Sequence, residues 1–157
     1  MQKTRRTVLS TIAAGLIAGA VAMPISASAL TLGFAQVGAE SEWRTANTQS
    51  IKDAAKAAGI TLKFSDAQQK QENQIKAIRS FIAQKVDVIA FAPVVTTGWD
   101  TVLMEAKKAK IPVVLTDRSI ETKDPSLYVT MIGSDFTEEG RKAAKWLLEN
   151  YKGQGDV

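Results

Sequence analysis

Val86-Asp87-Val88-Ile89-Ala90-Phe91-Ala92, closed by Pro93, is the stretch on which the fold turns. It has strand length and is almost wholly apolar, without the in-and-out alternation of a strand that keeps one face wet. Such a run reads as a strand buried on both sides, the place of a central strand in a parallel sheet. Proline has no N–H to extend a ladder, so Pro93 stops it.

Working outward, the flanking segments alternate between two periods. Before the run, Gln71 to Gln84 sets Ile75, Ile78, Phe81 and Ile82 on one helical face. Ile60 to Phe64 alternates as a strand, and Trp43 to Ala58 carries apolar or small residues at 43, 46, 47, 51, 54, 55 and 58, a helical stripe ended by Gly59. Leu30 to Val37 is the first strand. After the run come a helix over Thr97 to Ala109 with Val102, Leu103 and Ala106 inward, a strand over Ile111 to Thr116, a short strand over Tyr128 to Ile132, and a helix over Asp135 to Tyr151. Strands and helices alternating through short loops predict an α/β fold, a doubly wound parallel sheet with helices on both faces.

Composition narrows the function. The 157 residues are 45% apolar and 23% charged, an ordinary globular balance. With no cysteine and no histidine, the chain has no thiol nucleophile, no disulfide, no imidazole base and none of the usual zinc ligands. Binding is therefore favoured over catalysis, and no cofactor or metal is expected. The net charge of +4 is mostly N-terminal. Lys3, Arg5 and Arg6 stand in the first 29 residues, which hold no acid, and the other 17 basic residues face 16 acidic ones. No basic face for nucleic acid is implied.

Those 29 residues have the build of a secretory signal peptide: a cationic start, an Ala- and Gly-rich apolar stretch from Val8 to Met23, and Ala27-Ser28-Ala29 as the cleavage site. The apolar stretch is short, and Gly15, Gly19 and Pro24 interrupt it, which argues against a spanning anchor. Thr4-Arg5-Arg6-Thr7-Val8-Leu9 fits either a twin-arginine signal or a general secretory start. Both routes place residues 30–157 outside the cytoplasm, in a periplasm.

In a doubly wound sheet, ligands sit beyond the carboxyl ends of the strands, near the point where strand order switches. Five loops qualify: 36–43, 65–71, 92–99, 116–120 and 133–136. The first has no glycine fingerprint for a nucleotide. It carries Glu40, then Trp43 and Arg44 at the helix start. A flat indole suits the apolar face of a sugar ring, and a guanidinium donates to hydroxyls. Alternatively, Trp43 packs on the sheet and Arg44 is solvated. Asp117 and Arg118 follow a buried strand; an acceptor beside a donor can fix vicinal hydroxyls, or the two form a plain surface pair. Gln68 and Gln69 offer amides, or mark a helix entry. Asp135 is placed as a helix N-cap, Trp99 is read as a packing residue, and Trp146, on a helical apolar face with Leu147, is read as core.

Taken together, these segments resemble a known family. The leader, Trp43-Arg44, Asp66-Ala67-Gln68-Gln69-Lys70-Gln71-Glu72-Asn73-Gln74-Ile75, Val86 to Ala90 with Ala92-Pro93, Ile111 to Arg118 and Gly133-Ser134-Asp135 are similar to the periplasmic sugar-binding proteins of ABC importers, the ribose-binding-like class. Trp43-Arg44 with Ala92 to Trp99 looks most like the galactofuranose-binding members. The resemblance implies a monosaccharide ligand, a permease in the inner membrane as partner, and two lobes that close over the sugar. It assigns sugar contacts to Trp43, Arg44, Asp117 and Arg118, with Gln69 and Glu40 beside them. Family members run to roughly twice this length, as two domains require. Residues 30–157 are accordingly read as an N-terminal lobe with the second lobe missing, whose half-cleft binds sugar weakly. Two other readings fit parts of the pattern: an exported, carboxylate-dependent glycoside hydrolase, and the sensor lobe of a sugar-responsive repressor, which would need a helix-turn-helix where the leader stands.

Overall fold

The computed structural model describes residues 29–151. The signal-peptide reading of 1–29 falls almost wholly outside them. The described chain runs β1 (Thr31–Gln36), α1 (Glu42–Ala57), β2 (Thr61–Asp66), α2 (Gln71–Ala83), β3 (Val88–Phe91), α3 (Asp100–Lys108), β4 (Val113–Thr116), a 3-10 turn (Pro125–Leu127), β5 (Thr130–Ile132) and α4 (Phe136–Tyr151). All strand pairs are parallel, in the order β2-β1-β3-β4-β5. The continuous apolar run is the middle strand, as expected, with Ile89 and Phe91 fully buried. The order reverses between β1 and β3, the switch point of this topology.

One face of the sheet carries the main core. Gly33, Ala35, Ile89, Phe91, Val113 and Leu115 share it through the strand register. Ile78 and Phe81 of α2 and Val102, Leu103 and Ala106 of α3 close over it. Gly33 is needed there, because a Cβ at this position would lie 2.6 Å from Cγ of Phe81. Trp99 packs on Phe91 with ring centroids 4.9 Å apart, and its indole N–H donates to the Val95 carbonyl at 2.8 Å. That bond satisfies the polar tip of a wholly buried aromatic, so Trp99 is a packing residue.

The opposite face is covered by α1, over β1 and β2. Ser41 caps this helix by accepting the Arg44 N–H at 3.1 Å, and Gly59, at φ +66°, ends it. The stripe expected at 43, 46, 47, 51, 54, 55 and 58 is corrected. The side of α1 that meets the sheet is Arg44, Asn47, Thr48, Ile51 and Ala55, whereas Trp43, Ala46, Ala54 and Ala58 are exposed. A polar seam replaces the apolar one because β1 ends in Gln36, which needs hydrogen-bonding partners above it.

A second correction concerns Trp146. No residue of α4 is buried, and Trp146 is 54% exposed. Its helix carries a coherent apolar side, but among the described residues no sheet face or helix buries that side, so a core reading fails. Trp146 instead meets Tyr151 of its own helix edge-on, at 5.8 Å between centroids. Asp135 does cap α4, its Oδ1 accepting the Glu138 N–H at 2.9 Å.

Candidate functional site

The loops after β1 and β4 meet at one guanidinium. Arg44 projects from the first turn of α1 toward the sheet and is 3% exposed. Its Nε is 3.2 Å from Oε1 of Glu40, its Nη2 2.9 Å from Oδ2 of Asp117, and its Nη1 3.4 Å from Oε1 of Gln36. Its Cζ also lies 4.8 Å from the centre of the Trp43 ring, a cation–π distance. The solvated reading of Arg44 is therefore wrong: burying a guanidinium is tolerable only because two carboxylates and an amide oxygen receive it. Trp43 does not pack on the sheet, and its indole is 57% exposed.

Asp117 is held by an uncommon turn. Its φ is +65°, and the Arg118 N–H donates to the Thr116 carbonyl two residues back at 2.7 Å. A positive φ at the centre of such a three-residue ring makes a classic-type γ-turn, rare and strained for a residue with a side chain. The Asp117 N–H donates to the Ile132 carbonyl at 2.8 Å, tying the turn to β5. Gly133 follows, and a Cβ there would stand 2.8 Å from the Asp117 carbonyl oxygen. Oδ2 of Asp117 is buried and makes no aligned hydrogen bond, so the nearby charges hold it. Arg118 contributes more distantly, its Nε 3.6 Å from Oδ2. The Asp117–Arg118 fork expected from sequence thus gives way to an Asp117–Arg44 pair, leaving the Arg118 side chain 45% exposed.

Glu40 and Gln69 flank Gly38. A Cβ on Gly38 would lie 2.9 Å from Oε2 of Glu40 and 3.2 Å from Cγ of Gln69. The Gln69 N–H donates to the Val37 carbonyl at 2.7 Å, which brings the exit of β2 against the exit of β1. Gln69 itself is exposed. The Glu40 carboxyl sits below its ordinary range, held there first by its own backbone N–H and then by Arg44. An open groove of about 620 Å³ adjoins Asp117 and Arg118, lined further by Thr96, Gly133, Asp135 and Phe136.

Three supporting residues escaped sequence reasoning. Gln36 and Gln74 are both fully buried amides, and Gly133 leaves room for the turn at Asp117. The Gln74 amide donates to the Ala35 and Ala92 carbonyls at 3.2 and 2.6 Å and accepts the Val94 N–H at 2.9 Å. It closes the crevice between β1 and β3 with its own hydrogen bonds, so the charged cluster bridges β1 and β4 over the top of β3 instead. A signal was present: Gln36 continues the phase of Leu32 and Phe34, and Gln74 that of Ile78 and Phe81.

The cluster sums two carboxylates with two guanidiniums, so it is near neutrality and rich in donors and acceptors. Among the described residues no group of three or more potential ligands would hold a metal ion. The profile of the periplasmic binding protein domain matches residues 32–157. The chain belongs to this family. Over 150 residues it is 52% identical to the galactofuranose-binding protein YtfQ of Escherichia coli strain K12, covering 96% of this chain and 46% of that protein. Among solved structures, the periplasmic binding protein component of an arabinose ABC transporter from Shewanella sp. ANA-3, bound to L-arabinofuranose, superposes with a TM-score of 0.77 at 62% identity, covering 79% of this chain and 41% of that one. A Mycobacterium smegmatis protein in complex with β-D-fucofuranose gives a TM-score of 0.77 at 65% identity, covering 82% and 43%. The chain spans about half the length of the curated relatives it matches. The first two of these are named as binding proteins. Their parallel sheet with flanking helices is the α/β architecture found here.

Proposed function

We propose that this chain forms one side of a monosaccharide site in the substrate-binding component of an ABC sugar importer, working in the periplasm with a membrane permease as partner. The observation that carries the reading is the contiguity of Trp43, Arg44 and Asp117 at one rim of the sheet. An exposed indole offers an apolar surface to a sugar ring, and the carboxylate accepts from hydroxyls. The Arg44 guanidinium, hydrogen-bonded to Glu40 and Gln36, lies against the Asp117 carboxylate and holds it at the rim. Three of the relatives that share this half of the molecule are named or solved with a furanose sugar, which supports a furanose as ligand.

The same geometry argues for binding without turnover. A glycoside hydrolase needs one carboxyl raised to act as acid. Glu40 is shifted the other way. Since a single lobe leaves a ligand wet on one side, affinity should be low, near a Kd of about 1 mM or weaker, or about −4 kcal/mol. Titration of the 15N-labelled chain with L-arabinose should give saturable shifts at the Trp43 indole N–H and the Arg44 side chain. Shifts confined to other residues, or none at sugar concentrations far above that Kd, would overturn the reading. Release of monosaccharide when the protein is incubated with candidate oligosaccharides would restore the hydrolase.

A further inference from the structure

Gln36 ends β1 with its side chain under α1, completely buried. A buried amide is costly unless its polar atoms are bonded, and this one is bonded at both ends. Its Nε2 donates to Oδ1 of Asn47 at 2.9 Å and to Oγ1 of Thr48 at 3.1 Å. Its Oε1 accepts the Val37 N–H at 3.0 Å and faces Nη1 of Arg44 at 3.4 Å.

We infer that Gln36 is a positioning residue for the Arg44 guanidinium, and that Asn47 and Thr48 help set the direction in which its amide points. The two ends of an amide make opposite demands. The Val37 N–H and the Arg44 guanidinium can only donate, so they require the oxygen of Gln36. On the far side, Asn47 and Thr48 receive its NH2. Turning the amide over would press its NH2 against two donors and leave its oxygen against the carboxamide oxygen of Asn47. The polar seam of α1 is thus a relay that presents a fixed acceptor to Arg44.

That acceptor matters because Arg44 is otherwise held only by carboxylates. Glu40 takes Nε and Asp117 approaches Nη2, which leaves Nη1 to Gln36. With three partners on three nitrogens, the guanidinium plane is fixed and its edge stays beside Trp43. With two, the plane can swing between the carboxylates. The consequence for a ligand rests on the sugar-binding reading; the orientation of Arg44 does not.

The test uses the full 157-residue chain, 15N-labelled, with solvent exchange read at the Nε–H resonance of Arg44, assigned by its loss in Arg44→Lys. Gln36→Met keeps the side-chain length and removes both polar ends. It should speed Arg44 Nε–H exchange about tenfold and weaken L-arabinose binding about fivefold. Thr48→Val removes one acceptor at a half-buried helix position and leaves the core untouched, so it carries the test even if the buried substitution prevents folding. It should speed exchange about threefold. Unchanged Arg44 exchange in the folded variants would overturn the inference, even where the chain still binds sugar. Faster Arg44 exchange in the variants, when the wild-type chain shows no sugar-dependent shifts, would uphold the relay and overturn the sugar-binding reading alone.

Discussion

α1 and α4 are each 16 residues long, and each carries one distinct side, yet α1 buries an arginine and α4 buries nothing. The apolar side of α4 is the more coherent of the two, with Phe136, Leu147, Leu148 and Tyr151 exposed along it. Among the described residues, what α1 has and α4 lacks is a complementary surface. Gln36, Glu40 and Asp117 meet the polar seam of α1 atom for atom, so a side that looks poor in hydrophobicity is the one that docks. Burial is decided by the partner, and amphipathicity names only the side that is available.

The sharpest way to break this contrast is Arg44→Met. It leaves Glu40 and Asp117 without the guanidinium that both contact, and the expected cost is about 3 kcal/mol in urea unfolding, as for other broken buried ion pairs. Trp146→Ala on α4 should change stability by no more than about 0.5 kcal/mol. If the two losses were equal, the distinction between a docked and an undocked helix would fall. Next in size, Asp117→Ala removes the charged acceptor and should cost about 2 kcal/mol, with loss of the sugar-dependent shift at Trp43. Undiminished binding would take Asp117 out of the site.

A pair of glycines sharpens the comparison because the same substitution should have opposite signs. At Gly133 a methyl meets the Asp117 carbonyl at 2.8 Å, so Gly133→Ala should destabilise by about 1–3 kcal/mol. At Gly140 in α4 a methyl meets nothing within 4 Å, and Gly140→Ala should stabilise by about 0.5–1 kcal/mol through helix propensity. Thermal melts of the two variants decide the matter.

The smallest effect concerns acid. The Glu40 carboxyl is lowered below 4.5 in the folded chain, mainly by its own backbone N–H and then by Arg44. Its stabilisation is therefore complete above the unfolded value and disappears as pH falls through the lowered one. Wild type and Glu40→Gln should differ in stability at neutral pH, then converge as pH drops below about 4.5. Glu105 and Asp124 are lowered as well, by Arg79 and by Ser126 with Lys107. They titrate identically in both proteins, so the difference between the two profiles isolates Glu40.

The topology was readable because its cues are local. An unbroken apolar strand must be covered on both sides, and helices between short loops force parallel neighbours. Glu40, Trp43, Arg44 and Asp117 were readable for a similar reason: the carboxyl ends of such a sheet are few, and those residues stand there. Arg118 is at the same rim but contributes less than its neighbour, because the turn at Asp117 aims that carboxylate toward α1. Gln69 was harder, since its backbone braces the Gly38 loop while the residue itself is exposed. Gln36 and Gln74 were missed because a polar residue inside an apolar rhythm reads as the end of the rhythm. Each is instead a bonded amide in the interior. Trp146 was misplaced because periodicity reports a face and says nothing of what lies opposite it.

The strand order β2-β1-β3-β4-β5 has a consequence in time. β1 leads the described chain but stands between β2 and β3, so it stays half-paired until residue 91 has been made. Three of the four pairings span at least one intervening helix, so early contacts are distant ones and assembly should be slow for a chain this short. A nascent chain paused before β3 would leave the Phe34 segment open to chaperones or to proteases.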